Sequence, residues 1–183
     1  MTKGLKKVLA LTLTAVLMLG TAVPATAATP SPTQGKVPQE QEQVVSDDVM
    51  FVVKTSKKGT ATVIRAKANN KKSRKVPATV KVNGVTYKVN AIGSNALKSW
   101  KSVKKVTLSA NITRIKAKAF KNCKQLKKIV VKNKKATKID KKAFKGINTK
   151  KVTIQFSKKM SEKTFKTMKA RLKKAGFKGK IKK

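Results

Sequence analysis

Apolar and polar residues alternate along much of the chain after residue 50, which is the pattern of strands that bury one face. Two stretches of this kind flank the turn-forming Lys57-Lys58-Gly59. Two more flank Asn83-Gly84, a dipeptide that favours tight hairpins because both residues readily adopt positive φ. The pattern therefore predicts two β-hairpins between residues 49 and 91, with a polar loop at residues 69–75 between them.

The next part of the chain repeats its apolar positions three times. The repeats can be aligned on Ile92, Ile115 and Ile139, and again on Val106, Ile129 and Val152. The two intervals between the isoleucines differ by a single position, and the two intervals of the second set are identical. A strand-like alternation follows each aligned position of the second set, and one repeat cannot bury its own apolar face. A stack of repeats is therefore predicted.

An amphipathic helix is predicted after the repeats. Ser161 is suited to an N-cap and Gly176 to a C-terminal stop. The apolar residues between them recur at helical spacing: Phe165, Met168, Leu172 and Ala175. Such a helix either covers the open end of the stack or binds a membrane surface, and the need to cover a solenoid end favours the first interpretation.

The repeat pattern resembles the BspA-type, or Treponema-pallidum-type, leucine-rich repeat of exported bacterial proteins. Residues 115–129, IKAKAFKNCKQLKKI, match the motif I-g-x-x-A-F-x-x-C-x-x-L-x-x-I, and residues 77–89 resemble a hairpin that often precedes such repeats. The other repeats depart from the motif by apolar exchanges, at Leu97, Trp100 and Ile147. The resemblance implies a curved solenoid used for surface display, adhesion or ligand binding, with no shared active site.

The predicted fold class is α+β and β-rich: a short leucine-rich-repeat solenoid with an N-terminal β-hairpin cap and a C-terminal capping helix. The predicted segments are a signal peptide at 1–27, a flexible linker at 28–50, the hairpin cap at 51–91, the repeats at 92–159, and the capping helix with a basic tail at 160–183.

Residues 1–27 have the three parts of a secretory signal peptide. Lysines 3, 6 and 7 form the basic part, Val8 to Val23 the apolar part, and Ala25-Thr26-Ala27 the cleavage motif. The apolar run is shorter than the roughly 20 residues of a membrane span. We therefore expect a secreted protein, extracellular and in contact with the cell wall, with no integral membrane segment in the mature chain.

The chain is strongly basic, with 47 Lys and Arg against 6 Asp and Glu. Only two of those acids, Asp140 and Glu162, lie beyond residue 50. Such a surface attracts polyanions. Because almost all of the bases are lysine, which acts as a hydrated point charge, the composition favours diffuse attraction over readout of a base sequence.

Lysines at equivalent repeat positions are the candidate binding residues. Side-by-side strands would place equivalent residues about 4.8 Å apart, in columns. The candidates are Lys104, Lys105, Lys127, Lys128, Lys150 and Lys151 before the strands, and Lys98, Lys121 and Lys145 after the Ala-Phe turn. The partner would be an anionic cell-wall polymer or a host glycan or protein. The alternatives are a merely solvated face and a cationic membrane- or nucleic-acid-binding protein.

The sequence contains few residues suited to catalysis. The chain has no histidine, the two acids beyond residue 50 are isolated in sequence, and no metal-ligand cluster or glycine-rich phosphate loop is visible. Cys123, the only cysteine, falls at a core position of the repeat. The prediction is a binding protein rather than an enzyme, without cofactor, metal or small-molecule substrate. Because copies of so basic a chain repel one another, a monomer is expected.

Overall fold

Each repeat contributes one short strand to each of two sheets, with buried residues from both sheets forming one core. The computed structural model describes residues 37–68 and 70–183. The predicted signal peptide and the first part of the predicted linker lie outside these residues. No helix among them is long and apolar enough to cross a membrane.

The elements are as follows in chain order. The strands are β1 Gln41–Val45, β2 Phe51–Thr55, β3 Thr60–Ala66, β4 Ser73–Val76, β5 Thr79–Val82, β6 Val85–Ile92, β7 Lys105–Leu108, β8 Arg114–Ile115, β9 Lys128–Val131, β10 Lys138–Ile139, β11 Thr153–Phe156 and β12 Lys180–Lys182; the helix is α1 Glu162–Lys174. Sheet A has the order β1-β2-β3-β6-β8-β10, with β5 also paired to β6. Sheet B has the order β12-β11-β9-β7-β4 and all its pairs are parallel.

The repeat spacing in sheet A is confirmed. Ile92 pairs with Ile115, and Ile115 pairs with Ile139. In sheet B the pairing of Val106 with Ile129 is confirmed as well.

The third repeat of sheet B differs from the prediction. Ile129 pairs with Ile154, two positions beyond Val152. The β9–β10 connection is one position longer than the β7–β8 connection, and a 3-10 turn at Thr149–Lys151 lengthens the approach to β11. The alignment on Val152 was wrong because Val152 and Ile154 are both apolar, so the alternation alone does not show which of them is in register with Ile129.

The turns between the sheets stack their apolar side chains. Ala96, Ala119 and Ala143 are fully buried. The rings of Phe120 and Phe144 lie 5.5 Å apart and nearly parallel. Dispersion and burial across such contacts hold neighbouring repeats together, as the stacking of solenoid units requires.

Both predicted hairpins are present. β2 and β3 pair antiparallel, as do β5 and β6, and Asn83 and Gly84 have φ of 51° and 78°, as a type I′ turn needs. The hairpins are also part of the stack, because β3 pairs with β6 in parallel. They therefore extend sheet A.

Two segments predicted to be irregular contain strands. β1 lies within the predicted linker and pairs antiparallel with β2. β4 lies largely within the predicted polar loop and pairs in parallel with β7. Both strands form because a neighbouring strand offers its free backbone groups, although their own sequences bury little apolar surface.

The C-terminal helix has the predicted caps. The Ser161 hydroxyl accepts a hydrogen bond from the Thr164 N–H, and Gly176 follows the helix with φ of 83°. Met168 and Leu172 are buried, and Met168 lies against the Thr137 backbone after β9. The predicted basic tail forms a further strand, β12, which extends sheet B beyond β11.

Candidate polyanion-binding surface

Two of the predicted lysine pairs are adjacent on sheet B. Lys105 opens β7, Lys128 opens β9, and the two residues are paired in register. The Lys127 and Lys128 N–H groups both donate to the Lys104 carbonyl, at 2.8 and 3.0 Å. Strand spacing of about 4.8 Å therefore places these four lysines in two short neighbouring columns.

A further lysine, missed by the sequence analysis, extends these columns. The Lys104 and Lys105 N–H groups both donate to the Lys72 carbonyl, at 2.8 and 3.0 Å. Lys72 precedes β4 just as Lys104 precedes β7, so it occupies the same position one layer earlier. The sequence signal is the basic run around Ser73, which has Arg74 at the position that Val106 occupies in the alignment. We name Lys72, Lys104, Lys105, Lys127 and Lys128 the lysine face.

Lys150 and Lys151 do not continue the columns, and this corrects the prediction. Both lie in the 3-10 turn before β11, and Thr153 pairs with Lys128 instead. Lys151 nevertheless shares a shallow surface depression with Lys124 and Lys127. The turn therefore adds positive charge beside the lysine face without being in register with it.

The three lysines after the Ala-Phe turns occupy equivalent positions. The N–H groups of Lys98 and Lys121 donate to the carbonyls of Asn95 and Lys118, and that of Lys145 donates to the Lys142 carbonyl. All three lysines are exposed. A Cβ on Gly146 would lie 3.2 Å from the Lys121 Cγ, so the aliphatic part of Lys121 packs on the next turn.

Few acidic groups balance this charge. Residues 37–183 hold 43 of the 47 bases and all six acids, because the other four bases precede residue 37. Among the described residues, ion pairs connect Lys54 with Glu42, Arg114 with Asp140, and Lys183 with Glu162. None of these pairs includes a residue of the lysine face, so within the described part of the chain its charges are not neutralised by a carboxylate.

The two acids beyond residue 50 are each paired with a cation. The hydrogen bond from Lys183 and the charge of that lysine lower the pKa of Glu162. One guanidinium nitrogen of Arg114, Nη2, donates to both Asp140 oxygens, at 3.2 and 3.1 Å. The described residues contain no group of three His, Cys, Asp or Glu side chains placed to hold a metal ion.

Comparison with known families decides the classification. A family model described as "BspA type Leucine rich repeat region (6 copies)" matches residues 81–183, which is more than half of the chain. The chain belongs to the BspA-type leucine-rich repeat family. The match begins in the second hairpin and includes α1 and β12, so the C-terminal elements lie within the repeat region of this family.

Solved structures of leucine-rich repeat proteins also align with the chain. A leucine rich cell surface protein from Faecalibacterium prausnitzii A2-165 aligns with 67% of the chain at a TM-score of 0.51 and 19% identity, which confirms the predicted β-rich repeat fold. A leucine-rich repeat protein from Bacteroides ovatus ATCC 8483 aligns with 54% of the chain at a TM-score of 0.38 and 21% identity. The BspA-type chain spans 38% and 33% of the lengths of these two proteins. Comparison with curated proteins gave no match.

Proposed function

We propose that the protein is an extracellular binding module whose lysine face holds an anionic polymer of the cell wall or of a host surface. The observation that carries this proposal is the in-register pairing of Lys105 with Lys128, with Lys104 and Lys72 beside them. Like charges at this spacing repel one another, and a polymer with regularly spaced anions relieves that repulsion.

Extracellular action is supported by the signal-peptide pattern in residues 1–27 and by the description of the Faecalibacterium relative as a cell surface protein. The BspA-type repeat architecture supports a binding role, because stacked repeats create extended surfaces. We propose that a monomer performs this role, since the large net charge of the chain opposes self-association.

The alternative of a cationic membrane-binding protein is less well supported. α1 buries Met168 and Leu172 in the fold, so these side chains are not available to a bilayer. Stacking on nucleic-acid bases is also less well supported, because Trp100, Phe120 and Phe144 are buried.

Binding of the full chain to purified bacterial cell walls, with and without their teichoic acid, tests the proposal across a salt series. We expect binding that needs the polyanion and weakens steeply with salt. Changing Lys104, Lys105, Lys127 and Lys128 to Gln should reduce the slope of log K against log salt by roughly 3, because each lysine on a phosphate releases somewhat less than one counterion.

A matched control removes the same charge elsewhere, with Lys57, Lys58, Lys81 and Lys163 changed to Gln; all four are exposed and lie outside sheet B. This variant should retain most of the slope. Equal losses in the two variants, or wild-type binding that is indifferent to teichoic acid, would contradict a role for the lysine face.

A further inference from the structure

A second basic surface lies where the chain passes from sheet B back to sheet A. One depression there, which we name the corner depression, is lined by Lys88, Lys132, Lys134 and Lys135. None of these lysines belongs to the lysine face or to the candidates found from the sequence. None of the acidic residues lines the depression. Four like charges around one depression, with no carboxylate in its lining, attract anions.

The loops that form the corner depression are fixed by side-chain hydrogen bonds. The Asn133 Nδ2 donates to the Ile112 carbonyl at 2.7 Å, and its Oδ1 accepts from the Lys135 N–H at 2.8 Å. The Asn111 Nδ2 donates to the Ala78 carbonyl at 3.0 Å. The two Asn133 bonds hold the backbone of the lysine-bearing loop in place, which lowers the ordering cost of binding a ligand.

Neutral hydrogen-bonding groups lie between the lysines. Asn90, Asn111 and Thr113 also line the depression. The Thr113 hydroxyl donates to the Asn90 carbonyl at 3.1 Å, which leaves its oxygen able to accept. The Asn111 Oδ1 is likewise an acceptor that its bond to Ala78 does not use. Such acceptors suit hydroxyl groups, whereas the ammonium groups suit anions.

The repeat period is interrupted at the same place. The connection after β9, at 132–137, is one position longer than the connection after β7, at 109–113. The longer connection carries Lys132, Lys134 and Lys135. The shorter connection contains no lysine.

We propose that the corner depression binds an anionic oligosaccharide, with the lysines on its sulfate or carboxylate groups and with Asn111 and Thr113 on its hydroxyls. This inference rests on the proposed function, because it assigns one chemical class of polyanion to a site beside the lysine face. Lys132 connects the two surfaces, since it also lines a depression that contains Lys105 and Lys128. A sugar chain offers charged groups and hydroxyls at short spacing, and the lining of the depression offers complements to both.

The test measures fluorescence anisotropy of a labelled heparin hexasaccharide with the full chain, and of a labelled poly(glycerol phosphate) in parallel. One triple variant changes Lys88, Lys134 and Lys135 to Gln. The other removes equal charge from the lysine face, with Lys104, Lys127 and Lys128 changed to Gln. Thermal melting shows whether each variant folds as the wild type does.

We expect the corner variant to lose about tenfold or more in affinity for the hexasaccharide while binding poly(glycerol phosphate) nearly as well as the wild type, since each well-formed charge contact contributes several-fold. Thr113→Val should weaken hexasaccharide binding without a change in salt slope. Desulfated hexasaccharide should bind far more weakly than the sulfated form.

Equal loss of hexasaccharide affinity in the two triple variants would overturn the corner site and leave the lysine face in place. Displacement of the hexasaccharide by poly(glutamate) of equal charge would overturn the assignment to a sugar. Binding of poly(glycerol phosphate) that neither variant weakens would instead count against the proposed function, so the two failures are distinguishable.

Discussion

At the scale of single residues, Cys123 is a core side chain in the turn of the second repeat. It is 1% exposed, and its Sγ donates to the Leu97 carbonyl at 3.2 Å. Burial raises the pKa of the thiol to about 12. The nucleophilic thiolate is therefore scarce at neutral pH. We expect a thiol reagent such as Ellman's reagent to react with the native protein roughly 100-fold more slowly than with the unfolded chain.

The control for Cys123 combines Cys123→Val with Lys124→Cys, which moves the thiol to an exposed neighbouring position. This variant should react rapidly when folded, and fast labelling of native wild type would contradict the core role. The raised pKa also has a consequence for stability. Above about pH 9 the unfolded thiol loses its proton before the folded one does, so wild-type stability should fall with rising pH relative to Cys123→Val.

Lys118 carries backbone strain in the same turn. Its φ is 56°, and the equivalent residues Asn95 and Lys142 have φ of 57° and 61°. Asparagine tolerates this left-handed conformation better than lysine does, and the first repeat has an asparagine, Asn95, at the equivalent position. We expect Lys118→Asn to raise the free energy of unfolding by about 0.5 to 1 kcal/mol in denaturant titrations.

The matched control is Lys116→Asn, at a half-buried lysine of the same turn that lies outside the left-handed positions. It removes the same charge without relieving strain. If both changes raised stability equally, the gain would come from reduced charge repulsion rather than from the backbone.

At the scale of elements, Gly179 allows β12 to reach sheet B. A Cβ at this position would overlap the carbonyl oxygens of Val152 and Thr149. Gly176, at the end of α1, has φ of 83° but nothing within 4 Å of an added Cβ. Gly179→Ala should therefore displace β12 and speed amide hydrogen exchange in Lys180–Lys182, whereas Gly176→Ala should cost only about 1 to 2 kcal/mol and leave β12 paired. Unchanged protection of β12 in Gly179→Ala would refute this role.

The elements also show how far local sequence specifies this fold. The hairpin turn at Asn83-Gly84, the isoleucine register of sheet A and the caps of α1 were predictable, because each depends on residues that act on their own neighbourhood. β4 and β12 were not predictable, since their pairing depends on the backbone edges of β7 and β11 rather than on apolar pattern.

The candidate sites also divide into those that local sequence predicts and those that depend on the pairing of distant segments. Lys105 and Lys128 were predicted to be neighbours because Val106 and Ile129 mark their register. Lys150 and Lys151 were misplaced because the third repeat contains two inserted positions. Predicting their true location required knowing where these insertions lie, and a lysine-rich sequence does not show this. The corner depression was missed because its lysines come from β6 and the β9–β10 connection, which occupy different positions of the repeat.

At the scale of the whole molecule, charge opposes the compact state. The net charge is +41 at pH 7, and the absence of histidine means that it changes little around neutrality. Folding concentrates these charges, whereas unfolding separates them. We therefore expect the melting temperature to rise by several degrees between about 10 mM and about 300 mM NaCl, since the screening length falls from roughly 30 Å to below about 8 Å.

Screening and site binding can be separated in the same experiment. Sucrose adds no ions, so it should not reproduce the dependence of the melting temperature on ionic strength. Poly(glycerol phosphate) at low salt should raise the melting temperature more than NaCl of equal ionic strength, because a ligand of the folded state stabilises it by mass action. That added stabilisation should shrink as salt is raised and should be weaker in the variant with Lys104, Lys105, Lys127 and Lys128 changed to Gln. A melting temperature that is independent of salt would mean that the positive charges are spaced widely enough in the fold to cost little, and would remove the argument that their repulsion recruits a polyanion.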